Sequence, residues 1–358
     1  MNKNRKRIVI ALSVIASSIV TYFAFGLAGV AVASNFTTVG RYGDLSLLEE
    51  DFYRVQKCQR DYPSLANREE ISFSCGKETI KGYLYENPSP KGVIIYAHGV
   101  ANLADANGAQ MQNYYINHNY TVFAIDMTGS GRSTGKGIKS LYESKYCVAN
   151  AVKTVKNLSQ TKDLPIFLIG HSWGGYGVVT ATDEVDGVSA VAAFSGFNTP
   201  SEMMYSFTEK YTSKAMVVMK PAMQFGISCT WGQRSYYSAE SSIKKHKDIP
   251  YVIIHGDNDG TVPFKNISIY DNVVRDNYSN VTTVKLPGMT HGTPWKTLDA
   301  VTYTAKCENE LKELRKQYKN KLPDDVREEY IASVDKEKAS EVNADLLNQI
   351  DEIFTSCL

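Results

Sequence analysis

The sequence carries almost no net charge: 39 lysines and arginines stand against 38 aspartates and glutamates in 358 residues. Without a basic excess there is no electrostatic footprint for a phosphate backbone, so the balance gives no sign of a nucleic-acid partner. Internal repeats and low-complexity tracts are also missing, which sets aside solenoid architectures. No CxxC unit or zinc-like cluster occurs among the six cysteines, so the chain offers no structural metal site. Disorder is excluded by the 43% hydrophobic share, which is enough to bury a core. The length fits one large domain with insertions or two modest ones.

One further absence is local. From Ile8 to Ala33 there is no charged residue, and Lys3, Arg5, Lys6 and Arg7 precede the run. Such a stretch is long enough to cross a bilayer as a helix. Ala31-Val32-Ala33 before Ser34 fits an A-x-A cleavage site, so a removable signal peptide is the alternative. The run exceeds the roughly 7–15 residues of a signal core, which favours a retained anchor. Either way the basic flank stays in the cytoplasm and the chain beyond about Ser34 is exported. Six cysteines in an exported chain (Cys58, Cys75, Cys147, Cys229, Cys307, Cys357) permit up to three disulfides. Reduced, buried thiols are the equally simple reading.

Residues 1–34 are therefore expected to form the anchor or signal, 35–68 a connector with a helix over Leu45 to Lys57, and 69–358 the main domain. Ile71 to Phe73 and Ile80 to Tyr85 flank Gly76-Lys77 as a hairpin. Apolar runs follow at Val93–Ala97, Val122–Ile125, Ile166–Ile169, Val188–Phe194, Tyr251–Ile254 and Val281–Leu286. Most are continuous rather than alternating, as parallel strands covered on both faces should be. Helical patterns over Ala109–Asn117, Leu141–Leu158 and Tyr176–Thr182 separate them, so the fold class is α/β with a mostly parallel open sheet. Two insertions interrupt the alternation: a Met- and aromatic-rich helical segment at about 197–248, and a charged one at about 304–339. An amphipathic helix near Val342–Phe354 closes the chain.

The chemistry is concentrated at Ile166-Phe167-Leu168-Ile169-Gly170-His171-Ser172-Trp173-Gly174-Gly175. An apolar strand meets Gly-x-Ser-x-Gly and a helix can open behind it, the layout of a nucleophile elbow. Alone, Gly-x-Ser-x-Gly is a weak pattern. A serine hydroxyl also needs a base, and the base an orienting acid. Both lie downstream at strand ends, in His255-Gly256-Asp257-Asn258-Asp259-Gly260-Thr261-Val262-Pro263 and in Pro287-Gly288-Met289-Thr290-His291-Gly292.

These motifs resemble the serine aminopeptidase and monoacylglycerol-lipase-like group of the α/β-hydrolase superfamily. That group carries an HGxxDxxVP element, matched at His255 to Pro263, an apolar strand followed by His-Gly, matched at Tyr96-Ala97-His98-Gly99-Val100, and a D-x-x-G-x-G-x-S loop, matched from Asp126 to Ser133. The likeness spans Glu70 to Leu358. It implies an α/β-hydrolase fold with a helical cap, Ser172 as nucleophile, His291 as base and Asp259 rather than Asp257 as acid. It also implies an oxyanion hole from the backbone N–H groups of Val100 and Trp173. No metal or organic cofactor is required.

Other readings of these residues are weaker. Asp257-Asn258-Asp259-Gly260 lacks the order of a calcium loop, with Ser268 where its final Glu belongs. Gly129-Ser130-Gly131 is a tight turn rather than a dinucleotide fingerprint. His98 and His255 are expected to be structural, and His118, His171 and His246 show no partner in sequence. The methionines of the first insertion either line an acyl pocket or simply pack. The expected activity is hydrolysis of an ester or amide on a small molecule or short peptide. A peptidase would need an acidic site for a free amino terminus, for which Glu202 and Glu209 are the candidates. An acyltransferase or a non-catalytic binding protein could use the same fold.

Overall fold

The computed structural model describes residues 3–35, 39–41, 55–106, 108–211 and 218–358. An eight-stranded sheet runs in the order β10-β9-β8-β7-β4-β5-β3-β2. Its strands are β2 (Glu69–Cys75), β3 (Glu78–Tyr85), β4 (Gly92–Ala97), β5 (Tyr120–Asp126), β7 (Ile166–His171), β8 (Val188–Phe194), β9 (Tyr251–Gly256) and β10 (Val281–Leu286). From β5 across to β10 every pairing is parallel, while β3 runs antiparallel to both β2 and β5. A separate two-residue pair joins β1 (Val39–Gly40) to β6 (Gly137–Ile138).

The continuous apolar runs have the expected cause. Alternate residues of one strand feed opposite faces. Thus Val93, Ile95 and Ala97 of β4 enter a core that includes residues of α3 (Glu143–Val155), α4 (Trp173–Thr180), α7 (Ala239–Lys245) and α8 (Ile269–Asp276). Ile94 and Tyr96 enter the other core, with α2 (Ala109–Asn117) and the closing helix α12 (Ala344–Thr355). On that second face Phe354 stacks on Phe167 with ring centroids 4.6 Å apart. The architecture is a mostly parallel sheet covered by helices on both sides.

Several boundaries differ from the sequence expectation. The helix expected from Leu141 starts at Glu143 and stops at Val155, and the one expected from Tyr176 starts three residues earlier, at Trp173. The first insertion holds α5 (Pro200–Tyr211) and α6 (Lys220–Trp231) before α7. In the second, α9 (Leu298–Gln317) begins before Thr304 because Thr297 caps it, its hydroxyl accepting from the Ala300 amide at 3.1 Å. Helices α10 (Asp324–Ser333) and α11 (Lys336–Ala339) follow. The helix expected over Leu45 to Lys57 lies outside the described residues as far as 54, and 55–57 are not helical. All six cysteines are free thiols; Cys58, Cys75, Cys147 and Cys307 are buried and Cys229 is exposed.

The N-terminal helix α1 (Lys3–Asn35) contains Val9–Ala28, a 20-residue stretch long and apolar enough to cross a membrane. A core helix of the same composition would be buried, but only 6% of this window is. The alternation of strands and helices delivers four loops to one edge of the sheet. The carboxyl ends of β4, β7, β9 and β10 lead into His98-Gly99, Ser172, Asp259 and His291 respectively.

Candidate active site

Strand β7 lies between β4 and β8, so its end is fixed from both sides. Ser172 follows with φ 55° and ψ −113°, a backbone conformation that costs a non-glycine residue strain. The strain is held by two hydrogen bonds: the Ser172 amide donates to the Phe194 carbonyl at 2.8 Å, and the Ser172 carbonyl accepts from the Tyr176 amide at 3.0 Å. A Cβ on Gly174 would collide with the Ala97 carbonyl and lie 2.7 Å from the His98 carbonyl oxygen. That glycine is therefore a steric requirement of the turn. Trp173 is the first residue of α4, so its amide is one of the donors a helix start leaves without an internal partner.

Ser172, His291 and Asp259 come together although 119 and 32 residues separate their pairs. His291 Nε2 lies 2.9 Å from Ser172 Oγ, and His291 Nδ1 lies 2.7 Å from Asp259 Oδ2. A proton on Nδ1, directed at the carboxylate, leaves the Nε2 lone pair facing the hydroxyl. The other carboxylate oxygen of Asp259 accepts from the Thr261 and Val262 amides at 2.8 and 2.9 Å. Burial alone would raise its pKa. Hydrogen bonds from His255 and His291 outweigh that and hold the carboxyl well below the usual range, so it is ionised. Asp257 is elsewhere. It accepts from the Gly288 amide at 2.7 Å and pairs with Lys285 at 3.3 Å, bracing the turn after β10.

A family model for serine aminopeptidases of the S33 type matches residues 88–242. No curated protein matches the sequence. Among solved structures, an esterase from Pyrococcus furiosus is similar at 16% identity and a TM-score of 0.50, covering 70% of this chain and 92% of its own. Est1E from Butyrivibrio proteoclasticus, bound to ferulic acid, is 19% identical with a TM-score of 0.48, covering 68% of this chain and 98% of its own. The α/β hydrolase GrgF from a Penicillium species is 16% identical with a TM-score of 0.49, covering 70% and 98%. The chain has the α/β-hydrolase fold.

In this fold the loop after β4 lies against the serine. A Cβ on Gly99 would sit 3.2 Å from Ser172 Cβ, and the half-buried Val100 packs against the core next to it. Buried His98 holds the loop in place. Its Nδ1–H donates to the Gly99 carbonyl at 2.6 Å and its Nε2 accepts from the Met127 amide at 2.9 Å. Burial pushes its pKa down, which keeps it neutral for both roles. Buried His255 puts Nε2 3.0 Å from the Val262 carbonyl and 3.3 Å from Asp259 Oδ2. It thus braces the acid loop and adds a donor to the carboxylate.

The three histidines without a visible partner all have one. His118 stacks on Tyr114 at 3.9 Å, and His246 lies 3.1 Å from Asp183. His171 matters more to the site. It is fully buried, and its Nε2–H donates to the backbone carbonyl of His291 at 2.7 Å. Its ring also meets the edge of Trp295, centroids 5.4 Å apart. Burial, with a smaller contribution from His291, pushes its pKa down to about 3, so it is neutral at physiological pH. The residue before Ser172 thus reaches across to hold the loop that carries His291. A partner that is a backbone carbonyl leaves no trace in sequence.

The first insertion contributes to the core packing. Phe197 stacks on Tyr176 at 4.7 Å, and Met203 is buried in the core. Glu202 exchanges hydrogen bonds with Thr199 at the start of α5, its carboxylate accepting at 2.7 Å and its amide donating at 3.2 Å. That is a capping arrangement. Glu209 is exposed. Among the described residues, no group of three or more His, Cys, Asp or Glu side chains is placed to hold a metal ion.

Proposed function

We propose that this α/β-hydrolase is a serine hydrolase that cleaves an ester or amide through an acyl-enzyme, with an ester of a small or medium acyl group preferred. The two-bond chain Ser172–His291–Asp259, at 2.9 and 2.7 Å, carries the reading. As Ser172 Oγ attacks the substrate carbonyl carbon, His291 Nε2 takes its proton. The oxyanion that forms is received by the N–H groups of Val100 and Trp173, each such donor contributing roughly 2.7–4 kcal/mol in the transition state. Collapse of the tetrahedral species breaks the bond to the alcohol or amine, which leaves with the proton from His291. Water then attacks the acyl-Ser172 ester, with His291 again as base, and releases the acid. Asp259 holds the imidazole in the working tautomer throughout. The first insertion caps the pocket and selects the substrate, and its apolar content is what favours an acyl ester.

The exposed, uncharged span of α1 supports a retained anchor, with the hydrolase body outside the cytoplasm. The test is fluorophosphonate labelling of the full chain in detergent. Labelling is expected in the wild type and lost in Ser172→Ala; label that survives the substitution sinks the nucleophile assignment. Acyl esters are expected to turn over faster than aminoacyl amides, and the reverse order would make the protein a peptidase. Native protein that begins at Ser34 would replace the anchor with a cleaved signal.

A further inference from the structure

The outer part of α1 is not free: one face of it packs on the cap. Along Val9–Ala28 almost every residue is exposed, but Tyr22 and Phe23 are half-buried and Gly26 is buried. Their partner is α6. The Tyr22 hydroxyl donates to the Val218 carbonyl just before that helix, and Phe23 meets Phe225 edge to face with centroids 5.2 Å apart. Gly26 has no room for a side chain, because a Cβ there would run into the Ala222 carbonyl and lie 2.8 Å from the Ala222 Cβ. Backbones this close require small residues on both helices, the mode by which helices associate in lipid.

We infer that α6 is a membrane-embedded part of the cap, lying along α1 in the outer leaflet with its uncharged outer face against lipid. The inference rests on the anchor reading above. Depth supports it. Gly26 and Tyr22 are two and six residues from the outer end of the apolar span, about 3 and 9 Å at 1.5 Å per residue. Helices that lie in the interface bury their apolar face to roughly 5–10 Å.

Composition supports it too. From Pro221 to Gln233 there is no charged residue, and Lys220 and Arg234 bracket the stretch. Pro221, Phe225 and Cys229 recur at i, i+4 and i+8 and are all exposed, an uncharged stripe that meets α1 where Phe225 packs on Phe23. The opposite side of α6 faces the hydrolase body. Ile227 and Trp231 are buried there, packing with Tyr142 and Met204, and the Trp231 ring meets Tyr142 at 6.1 Å. Leu141, beside Tyr142, accepts through its carbonyl from the Trp173 indole at 2.7 Å. One set of packed residues thus links the bilayer helix to the residue that follows Ser172.

Cys229 provides a native probe position. In a full chain carrying Cys357→Ser, the other cysteines (Cys58, Cys75, Cys147 and Cys307) are buried, so Cys229 takes the label. With an NBD fluorophore there, and the protein in phosphatidylcholine vesicles, spin-labelled lipid should quench the dye by at least about twofold while aqueous iodide leaves it nearly untouched. Gly26→Leu keeps α1 apolar but fills the close approach. It should still float with vesicles, yet lose the lipid quenching and gain quenching by iodide.

Flotation with Cys229 open to iodide in the unsubstituted chain overturns the embedded cap and leaves the anchor standing. Failure to float removes the anchor and the embedded cap together, and leaves Ser172 labelling as a separate question. A label shielded from iodide but not quenched by lipid assigns the face to a second copy and overturns the inference. Unchanged lipid quenching in Gly26→Leu refutes the helix pair as what holds α6 in place.

Discussion

His171→Ala tests whether the buried imidazole positions the site or merely fills it. The substitution removes the donor to the partly buried His291 carbonyl and leaves that acceptor without it. Losing the bond costs about 0.5–1.5 kcal/mol, and stranding the acceptor about 1–3 kcal/mol. The ring contact with Trp295 is lost as well. Because the carbonyl belongs to the residue whose Nε2 lies 2.9 Å from Ser172 Oγ, slack there moves that imidazole itself. A displacement of about 1 Å at reacting groups costs on the order of 100-fold, so kcat/KM should fall by about 10–100-fold. His171→Gln carries an amide donor on a chain of similar reach and should recover most of that loss.

The same residue has a pH signature. Its folded pKa, about 3, lies below an unfolded value of roughly 6.5. The unfolded chain therefore takes the proton first as pH falls. Stability is complete above about pH 6.5 and is lost progressively toward pH 3, by roughly 3 kcal/mol at pH 4. His171→Gln should remove that part of the acid sensitivity while its activity at pH 7.5 stays near wild type. The assays are ester hydrolysis at pH 7.5 and urea unfolding at pH 4 and 7.5. If the alanine variant keeps kcat/KM within about twofold, or the glutamine variant is no better than alanine, the positioning role is refuted.

Two further outcomes concern the carboxyl groups. Asp259→Asn would turn an amide NH2 toward donors now served by Oδ2, and should lower kcat roughly 10³–10⁴-fold, whereas Asp257→Asn should stay within about threefold; a larger loss in Asp257→Asn would transfer the acid role. Glu143 has a carboxyl pushed up to about 7 by burial, against an ordinary value near 4.5, so the folded state loses stability as pH rises from about 4.5 to 7 and carries the full penalty above it. Glu143→Gln should add about 2–3 kcal/mol in urea unfolding at pH 8 and much less at pH 4.5, and an equal gain at both pH values would refute burial as the cause.

The parts of the fold and site that could be read from sequence are those in which side-chain type itself does the physical work. Strand β4 shows as an unbroken apolar run because Val93, Ile95 and Ala97 enter one core while Ile94 and Tyr96 enter the other. The elbow shows because Gly174 has no alternative beside the Ala97 carbonyl. Asp259 is picked out by a resemblance; in the structure its carboxylate collects the Thr261 and Val262 amides as well as His291. Where the partner is backbone, or where two surfaces meet by shape, the sequence is silent. His171 bonds a carbonyl that any residue at 291 would offer, and β1 and β6, two residues each, are too short to form a pattern. The pairing of Gly26 with Ala222 joins ordinary small residues almost two hundred positions apart. Neither residue marks its partner, so only the folded chain brings α1 into contact with α6. The residues that set how tightly Ser172 and His291 are held, and where α6 packs on α1, are therefore the ones a motif search passes over. His171→Ala and Gly26→Leu probe them directly, because each changes packing or support while leaving Ser172, His291 and Asp259 in the chain.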